Sequence, residues 1–275
     1  MKIKIASIAL LVAAFANICL AQATSPSVTE ETIKADMEMH VCKNGDRLEA
    51  VKSLFKARGA TDEELKVEKF DSVENLVVSK KGKTEETIIV GAHYDKVSEG
   101  CGAIDNWTGI VIIANIFANM RNMPTDKTIE FVAFGKEELG LVGSNAMAKS
   151  IPKEKRSQIC SMINLDSFGF TYPQVLSNSS SSKMTKFAKD LADEVKMPFS
   201  NASLGGAADA DSSSFLNKEI PAITFHGLSN RWTEYLHSSK DKLSNVNYKS
   251  VLVGYNFVGL YLTKVDAQPC SAFRK

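Results

Sequence analysis

Three hydrophobic runs, Thr87–Ala92, Thr128–Phe134 and Ser161–Leu165, each stop at or just before an acid or an imidazole. The first leads into His93-Tyr94-Asp95, the second into Glu137-Glu138 and the third into Asp166. Runs this short, rich in Ile, Val and Phe, fit buried strands. Helical stretches separate them: a largely apolar one from about Trp107 to Met120, then Leu139–Ser150. Strands alternating with helices specify an α/β chain with a largely parallel central sheet and helices on both faces. Leu65–Phe70 and Asn75–Ser79 form an early hairpin, which makes that sheet mixed. In open α/β sheets, sites are built at the strand ends, and that is where these acids and imidazoles stand.

The remaining elements fit the same architecture. Asp46–Arg58 is an amphipathic helix with Leu48, Val51, Leu54 and Phe55 on one face and Gly59 as its stop. Met184, Phe187, Leu191 and Val195 mark a second one, Ile220–Phe225 is a short strand, and Asn247–Val265 is a long final helix. The serine-rich Ser177–Ser182 reads as a surface loop. No internal repeat or inter-domain linker is visible, so a single domain follows the N-terminal leader.

That leader has three parts. Met1-Lys2-Ile3-Lys4 is basic, Ile8–Leu20 is apolar but short for a membrane span, and Ala21-Gln22-Ala23 is a small-x-small cleavage pattern. The expectation is a signal peptide over residues 1–23 and one catalytic domain over 24–275. The protein would then be secreted or periplasmic, with no membrane anchor in the mature chain. Of 33 basic residues, loss of Lys2 and Lys4 leaves 31 against 32 acidic ones. That balance offers nothing for nucleic acid or an anionic surface. Cys42, Cys101, Cys160 and Cys270 remain after cleavage. An even number in an exported chain points to one or two disulfides, with three full pairings open.

Taken one at a time, the polar residues have simple roles. Asp105 would N-cap the helix that follows it, Glu137-Glu138 would be a solvated first helical turn, and His93 would be structural. Taken together they read differently. The chain has 4 His, and His93 and His237 both sit beside acids at element boundaries. Acids packed together repel strongly unless cations neutralise them. Imidazoles mixed with carboxylates suit zinc, above all a pair of ions that activates water.

Five stretches carry a resemblance. They are His93-x-Asp95, Gly102-Ala103-x-Asp105-Asn106-x-x-Gly109, Phe134-Gly135-x-Glu137-Glu138-x-Gly140-x-x-Gly143-Ser144, Asn164-Leu165-Asp166 and His237-Ser238-x-x-Asp241. Over about residues 75–265 the chain resembles the exported co-catalytic di-zinc aminopeptidases of clan MH, the bacterial leucyl type, which are related to glutaminyl cyclases. The resemblance implies two zinc ions per chain. His93 and Asp166 would hold one, Glu138 and His237 the other, and Asp105 would bridge them. Asp95 would orient the His93 imidazole. Glu137 would be the general base that takes the proton of the attacking water and later protonates the leaving amine. The implied substrates are peptides with a free N-terminus.

Some positions depart from the family pattern. In Asp209-Ala210-Asp211-Ser212, relatives commonly carry Ser-Asp-His; Asp211 is kept and Ser212 replaces the His, and capping a helix accounts for Asp211 equally well. Cys101 stands close to the Asp105 motif, where a disulfide is the better account than a metal-directed thiol. His226 could line a substrate pocket, although a satisfied structural histidine is the simpler role. Asn106-Trp107-Thr108 forms a glycosylation sequon that a glycan could not use without blocking the site. The alternative function is a glutaminyl-peptide cyclotransferase. Leu236 stands where those cyclases carry Trp, and Asp105-Asn106-x-x-Gly109 keeps the form they depart from, so peptide hydrolysis is favoured. A non-catalytic binding domain would be expected to have lost a ligand or the base, and none is missing.

Overall fold

The computed structural model describes residues 27–203 and 209–274. The leader expected over residues 1–23 lies outside them. The described residues form one sheet with strand order β1-β2-β4-β3-β5-β8-β6-β7. Its strands are β1 (Leu65–Phe70), β2 (Val73–Lys80), β3 (Thr87–His93), β4 (Thr128–Phe134), β5 (Ile159–Leu165), β6 (Gln174–Leu176), β7 (Asn201–Ala202) and β8 (Ala222–His226). The central run β4-β3-β5-β8 is parallel, while β1 and β2 on one side and β6 on the other pair antiparallel. The sheet is therefore mixed with a parallel centre. Every residue of β3 is buried, because helices cover both faces. Edge strand β1 alternates exposed Lys and Glu with half-buried apolar residues, which discourages pairing with another chain.

One face carries α1 (Glu30–Met37), α2 (Asn44–Ala57), α3 (Thr108–Met120), α5 (Ser182–Glu194) and α7 (Tyr248–Asp266). The other carries α4 (Val142–Ser150) and α6 (Ser212–Leu216). Helix α3 lies between the sheet and α7, which explains why its sequence is apolar nearly all round. Phe225 of β8 meets Phe257 and Tyr261 of α7 edge-on, with ring centroids 5.8 and 5.0 Å apart, and this anchors the last helix over the sheet.

The sequence expectations differ from this fold in a few places. Helix α1 and the short β6, β7 and α6 carry too little periodicity to be read beforehand. Helix α4 begins only at Val142, because Gly140 and Leu141 have φ of 96° and 59° and turn the chain first. The Ser177–Ser182 run is only partly a surface loop: Asn178 and Ser182 are exposed, but other serines of the run pack inward. Ser179 is fully buried, its hydroxyl donates to Asp209 Oδ1 at 3.0 Å, Ser180 Oγ accepts from Thr224 N–H at 3.0 Å, and Ser182 opens α5. Disulfides join Cys42 to Cys101 and Cys160 to Cys270, closing spans of 59 and 110 residues.

Candidate active site

The carboxyl ends of β3, β4 and β5 lie side by side, and the acids and imidazoles gather over them. His93 closes β3. Its Nε2 is 3.1 Å from Asp105 Oδ1, 3.6 Å from Asp166 Oδ1 and 4.0 Å from Glu137 Oε2. His237 Nε2 stands 3.3 Å from Asp105 Oδ2 and 3.1 Å from Glu138 Oε2. Each oxygen of Asp105 thus faces a different imidazole. His93, Asp105 and Asp166 bring one donor atom each within 4.8 Å of one another, and so do Asp105, Glu138 and His237. Asp105 belongs to both groups.

Local structure explains how each side chain arrives. The Ala103–Trp107 turn delivers Asp105, and its Asp105–Asn106 peptide is cis. Asp105 does not cap α3. Asn106 does, since its Oδ1 accepts from Gly109 N–H at 3.0 Å and Ser167 N–H at 3.1 Å while its Nδ2 donates to the Leu165 carbonyl at 2.8 Å. Gly109 is required by this close approach, because a Cβ there would lie 2.5 Å from Asn106 Oδ1 and 2.7 Å from the Leu165 oxygen. Asn106 is fully buried, which puts the sequon out of reach. Asp241, in the loop after His237, ties the two halves of the site together. Its Oδ1 accepts from Ile104 N–H at 2.6 Å and its carbonyl from Cys101 N–H at 2.8 Å.

Glu137 and Glu138 sit in the loop between β4 and α4, not in a helical first turn. Gly135 lets that loop pass close to β2, since a Cβ would be 2.6 Å from the Glu74 oxygen and 2.7 Å from the Tyr94 hydroxyl. The Asp95 carboxylate holds the pair: Oδ1 accepts from Glu137 N–H at 2.9 Å and Oδ2 from Glu138 N–H at 3.2 Å. His93 Nδ1 bonds the Asp95 backbone oxygen at 3.2 Å, while the Asp95 carboxylate is 3.7 Å away, beyond hydrogen-bond range. Asp95 therefore orients His93 through its main chain and the two glutamates through its side chain.

Electrostatically the site is an acid cluster around two imidazoles. Burial acts to lower the pKa of His93, but the Glu137 charge and the carboxylates of Asp105, Asp166 and Asp95 outweigh it and leave it well raised. Hydrogen bonds to Asp105 and Glu138 push His237 up to about 10, although its side chain is 58% exposed. Burial, reinforced by Asp166, Asp211 and Asp105, pushes Glu137 well above the usual carboxylate range. Burial acts to raise Asp105, yet its bonds to His237 and His93 hold it low. Glu138 Oε1 is buried without a hydrogen-bond partner among the described residues. Imidazole nitrogens and carboxylate oxygens without a thiolate, plus an orphaned carboxylate oxygen, fit a hard-to-borderline dication such as zinc. Cys101 takes no part, being joined to Cys42.

The structure brings together all seven sequence-predicted residues, His93, Asp95, Asp105, Glu137, Glu138, Asp166 and His237. Asp211 occupies the N-cap position of α6 but makes no cap hydrogen bond; it is fully buried, and burial pushes it up to about 7. Sequence reasoning missed Arg47, a fully buried guanidinium beneath the site, because a single Arg on an amphipathic helix carries no signal. It also missed the walls of the cavity of about 350 Å³ over the site, which include Leu176, Leu228 and Trp232.

Residues 75–256 match the family described as Peptidase family M28. The chain belongs to that family. A probable leucine aminopeptidase of Arthroderma otae is 29% identical over 229 residues, covering 74% of this chain and 60% of that protein. The chain spans less than two thirds of the length of the curated relatives it matches first. A zinc aminopeptidase from Bacillus subtilis, BSAP, superposes with a TM-score of 0.62 at 21% identity, covering 74% of this chain and 53% of that one. A glutaminyl cyclase from an Acidobacteriales bacterium gives a TM-score of 0.71 at 15% identity, covering 91% and 99%. At such identities these two structures show a shared fold alone.

Proposed function

We propose that this M28 chain is an exported, zinc-dependent aminopeptidase that hydrolyses the N-terminal residue from peptides. The observation that supports it best is Asp105, whose two oxygens face His93 and His237 with Glu137 alongside. His93 and Asp166 would hold one zinc, Glu138 and His237 a second, and Asp105 would bridge them. Family membership and the zinc aminopeptidase among the structural relatives favour this metal. Bound there, zinc supplies a Lewis acid for the scissile carbonyl and lowers the pKa of water. Glu137 Oε2 takes the proton of the attacking water and passes it to the departing amine nitrogen. Asp95, bonded to the Glu137 and Glu138 N–H groups, keeps those two carboxylates aimed. The surrounding acids favour a protonated α-amine, which accounts for a free N-terminus as the requirement. Export is supported by the two disulfides, which persist in oxidising compartments. Among the described residues no helix is long and apolar enough to cross a membrane.

The rival reading on this fold is cyclisation of N-terminal Gln by its own amine, which consumes no water. Mass spectrometry of a Gln-initiated peptide treated with zinc-loaded protein separates the two. Loss of the first residue is expected. Dominant loss of ammonia from an intact chain, or equal turnover of acetylated peptides, would overturn the aminopeptidase reading. Elemental analysis should find two zinc ions per chain, and one alone would move the balance toward the cyclase.

A further inference from the structure

His226 closes β8 and lines the same cavity as Glu137, Asp166 and His237. Its Nδ1 accepts the Leu228 N–H at 3.2 Å, which leaves the ring proton on Nε2. Nε2 is buried and has no hydrogen-bond partner among the described residues. Burial also pushes the ring's pKa down to about 4, so it stays neutral near physiological pH. A buried donor without an acceptor is costly. His226 lines the cavity that also holds the candidate base, and a ligand whose acceptor reaches Nε2 recovers that cost.

The strand order says which part of a ligand reaches it. β8 lies on the far side of β5 from β3, and Asp166 N–H donates to the Phe225 carbonyl at 2.9 Å. Two strand spacings, about 10 Å, separate His226 from His93. His226 therefore stands one strand beyond Asp166 and two beyond His93, in a cavity whose lining also includes Leu176, Leu228, Trp232 and Leu236. The Thr224 hydroxyl there is already engaged by Ser212 at 2.6 Å, so it adds little recognition. A peptide with its scissile carbonyl beside Glu137 would place its N-terminal residue in this same cavity.

We infer that the pocket recognises an N-terminal side chain ending in a neutral hydrogen-bond acceptor, the amide of Gln or Asn, which accepts from His226 Nε2–H. This rests on the aminopeptidase reading of the site. Other side chains fit less well for physical reasons. A carboxylate meets the field of Asp105, Glu137, Glu138, Asp166 and Asp209 around the same cavity. An ammonium group has no lone pair to offer the donor. An aliphatic chain fills the apolar wall but leaves Nε2–H unpaired, the kind of mismatch that produces strong discrimination.

The test compares near-isosteric pairs of aminoacyl substrates, Asn with Leu and Gln with Met, on zinc-loaded wild type, His226→Leu and His226→Gln. In wild type kcat/KM favours the amides. His226→Leu should lower it for Asn and Gln by about 10-fold or more while Leu and Met stay within about threefold. His226→Gln, which restores an N–H donor, should recover part of the loss, a pattern that mere misfolding does not produce. Unchanged amide-to-aliphatic ratios in His226→Leu, or a wild-type preference for Lys or Arg, overturn the inference. If no substrate releases its first residue, the aminopeptidase reading fails, and calorimetry then decides the pocket by itself. Wild type should bind glutaminamide about tenfold tighter than methioninamide, with the difference erased in His226→Leu; equal wild-type affinities refute it.

Discussion

Replacing Arg47 by methionine removes a wholly buried guanidinium that braces the segment between His93 and Asp105. Arg47 Nε donates to the Tyr94 carbonyl, Nη1 to those of Val41 at 2.9 Å and Cys101 at 3.0 Å, and Nη2 to that of Gly102 at 3.0 Å. Methionine has similar reach and no donor, so these carbonyls lose their charged partner. Hydrogen bonds to charged groups contribute about 1.5–3 kcal/mol each, which would put the gross loss at ~6–12 kcal/mol. The substitution also removes the cost of burying the charge, which lowers the Arg47 pKa to about 10 and is offset by attraction to Asp241, Asp95, Asp105 and Glu138. Breaking a buried charged network by deleting one partner costs about 3–5 kcal/mol net. At about 2–4 °C per kcal/mol for a domain of this size, the melting temperature should fall by ~6–20 °C. Calorimetry on metal-free protein measures this without a contribution from zinc, and titration with zinc should then show weakened binding. Arg47→Lys keeps the charge but not the planar fork, and should fall between the two. A methionine variant that melts within about 2 °C of wild type and binds zinc equally well would refute the bracing role.

Glu137→Gln should leave metal content nearly intact and lower kcat by at least about 100-fold, because only the proton shuttle is lost. Glu138→Gln should weaken zinc retention first; equal metal loss in both variants, with comparable activity per bound zinc, would contradict this division of labour. His226 should also make stability depend on pH. Its folded value of about 4 lies below the ordinary 6.5, so the unfolded chain takes the proton first and the stabilisation, full above about 6.5, is lost as pH falls through about 4. In urea titrations wild type should lose up to ~3 kcal/mol more than His226→Leu across that window, and parallel curves for the two proteins would count against a buried neutral ring.

Much of this architecture is local and could be read from the chain. Periodicity placed β1, β4, α3 and α7 to within a residue or two, since each has a long enough apolar pattern. The start of α4 is not legible in the pattern, because the turn before it depends on positive φ at Gly140 and Leu141, and Leu141 gives no warning of it. A serine-rich run such as Ser177–Ser182 gives no sign of which of its residues turn inward. The burial of Ser179 and the anchoring of Ser180 depend on Asp209 and Thr224, which are 30 and 44 residues from the bonded serines.

The sequence by itself determined the α/β alternation, the placing of acids and imidazoles at strand ends, and the five stretches that carry the family likeness. These are properties of neighbouring residues, and short-range pattern records them. Only the tertiary structure decided which cysteines pair, that Asn106 and not Asp105 caps α3, and that the Asp95 side chain serves the glutamates while its main chain serves His93. It alone showed Asp105 turned toward two imidazoles, Arg47 satisfied by carbonyls, and His226 left with a proton and no acceptor among the described residues. Such facts are distances and angles between residues far apart in the chain. A hydrogen bond is made or lost within about half an ångström, and nothing in residue order carries that precision.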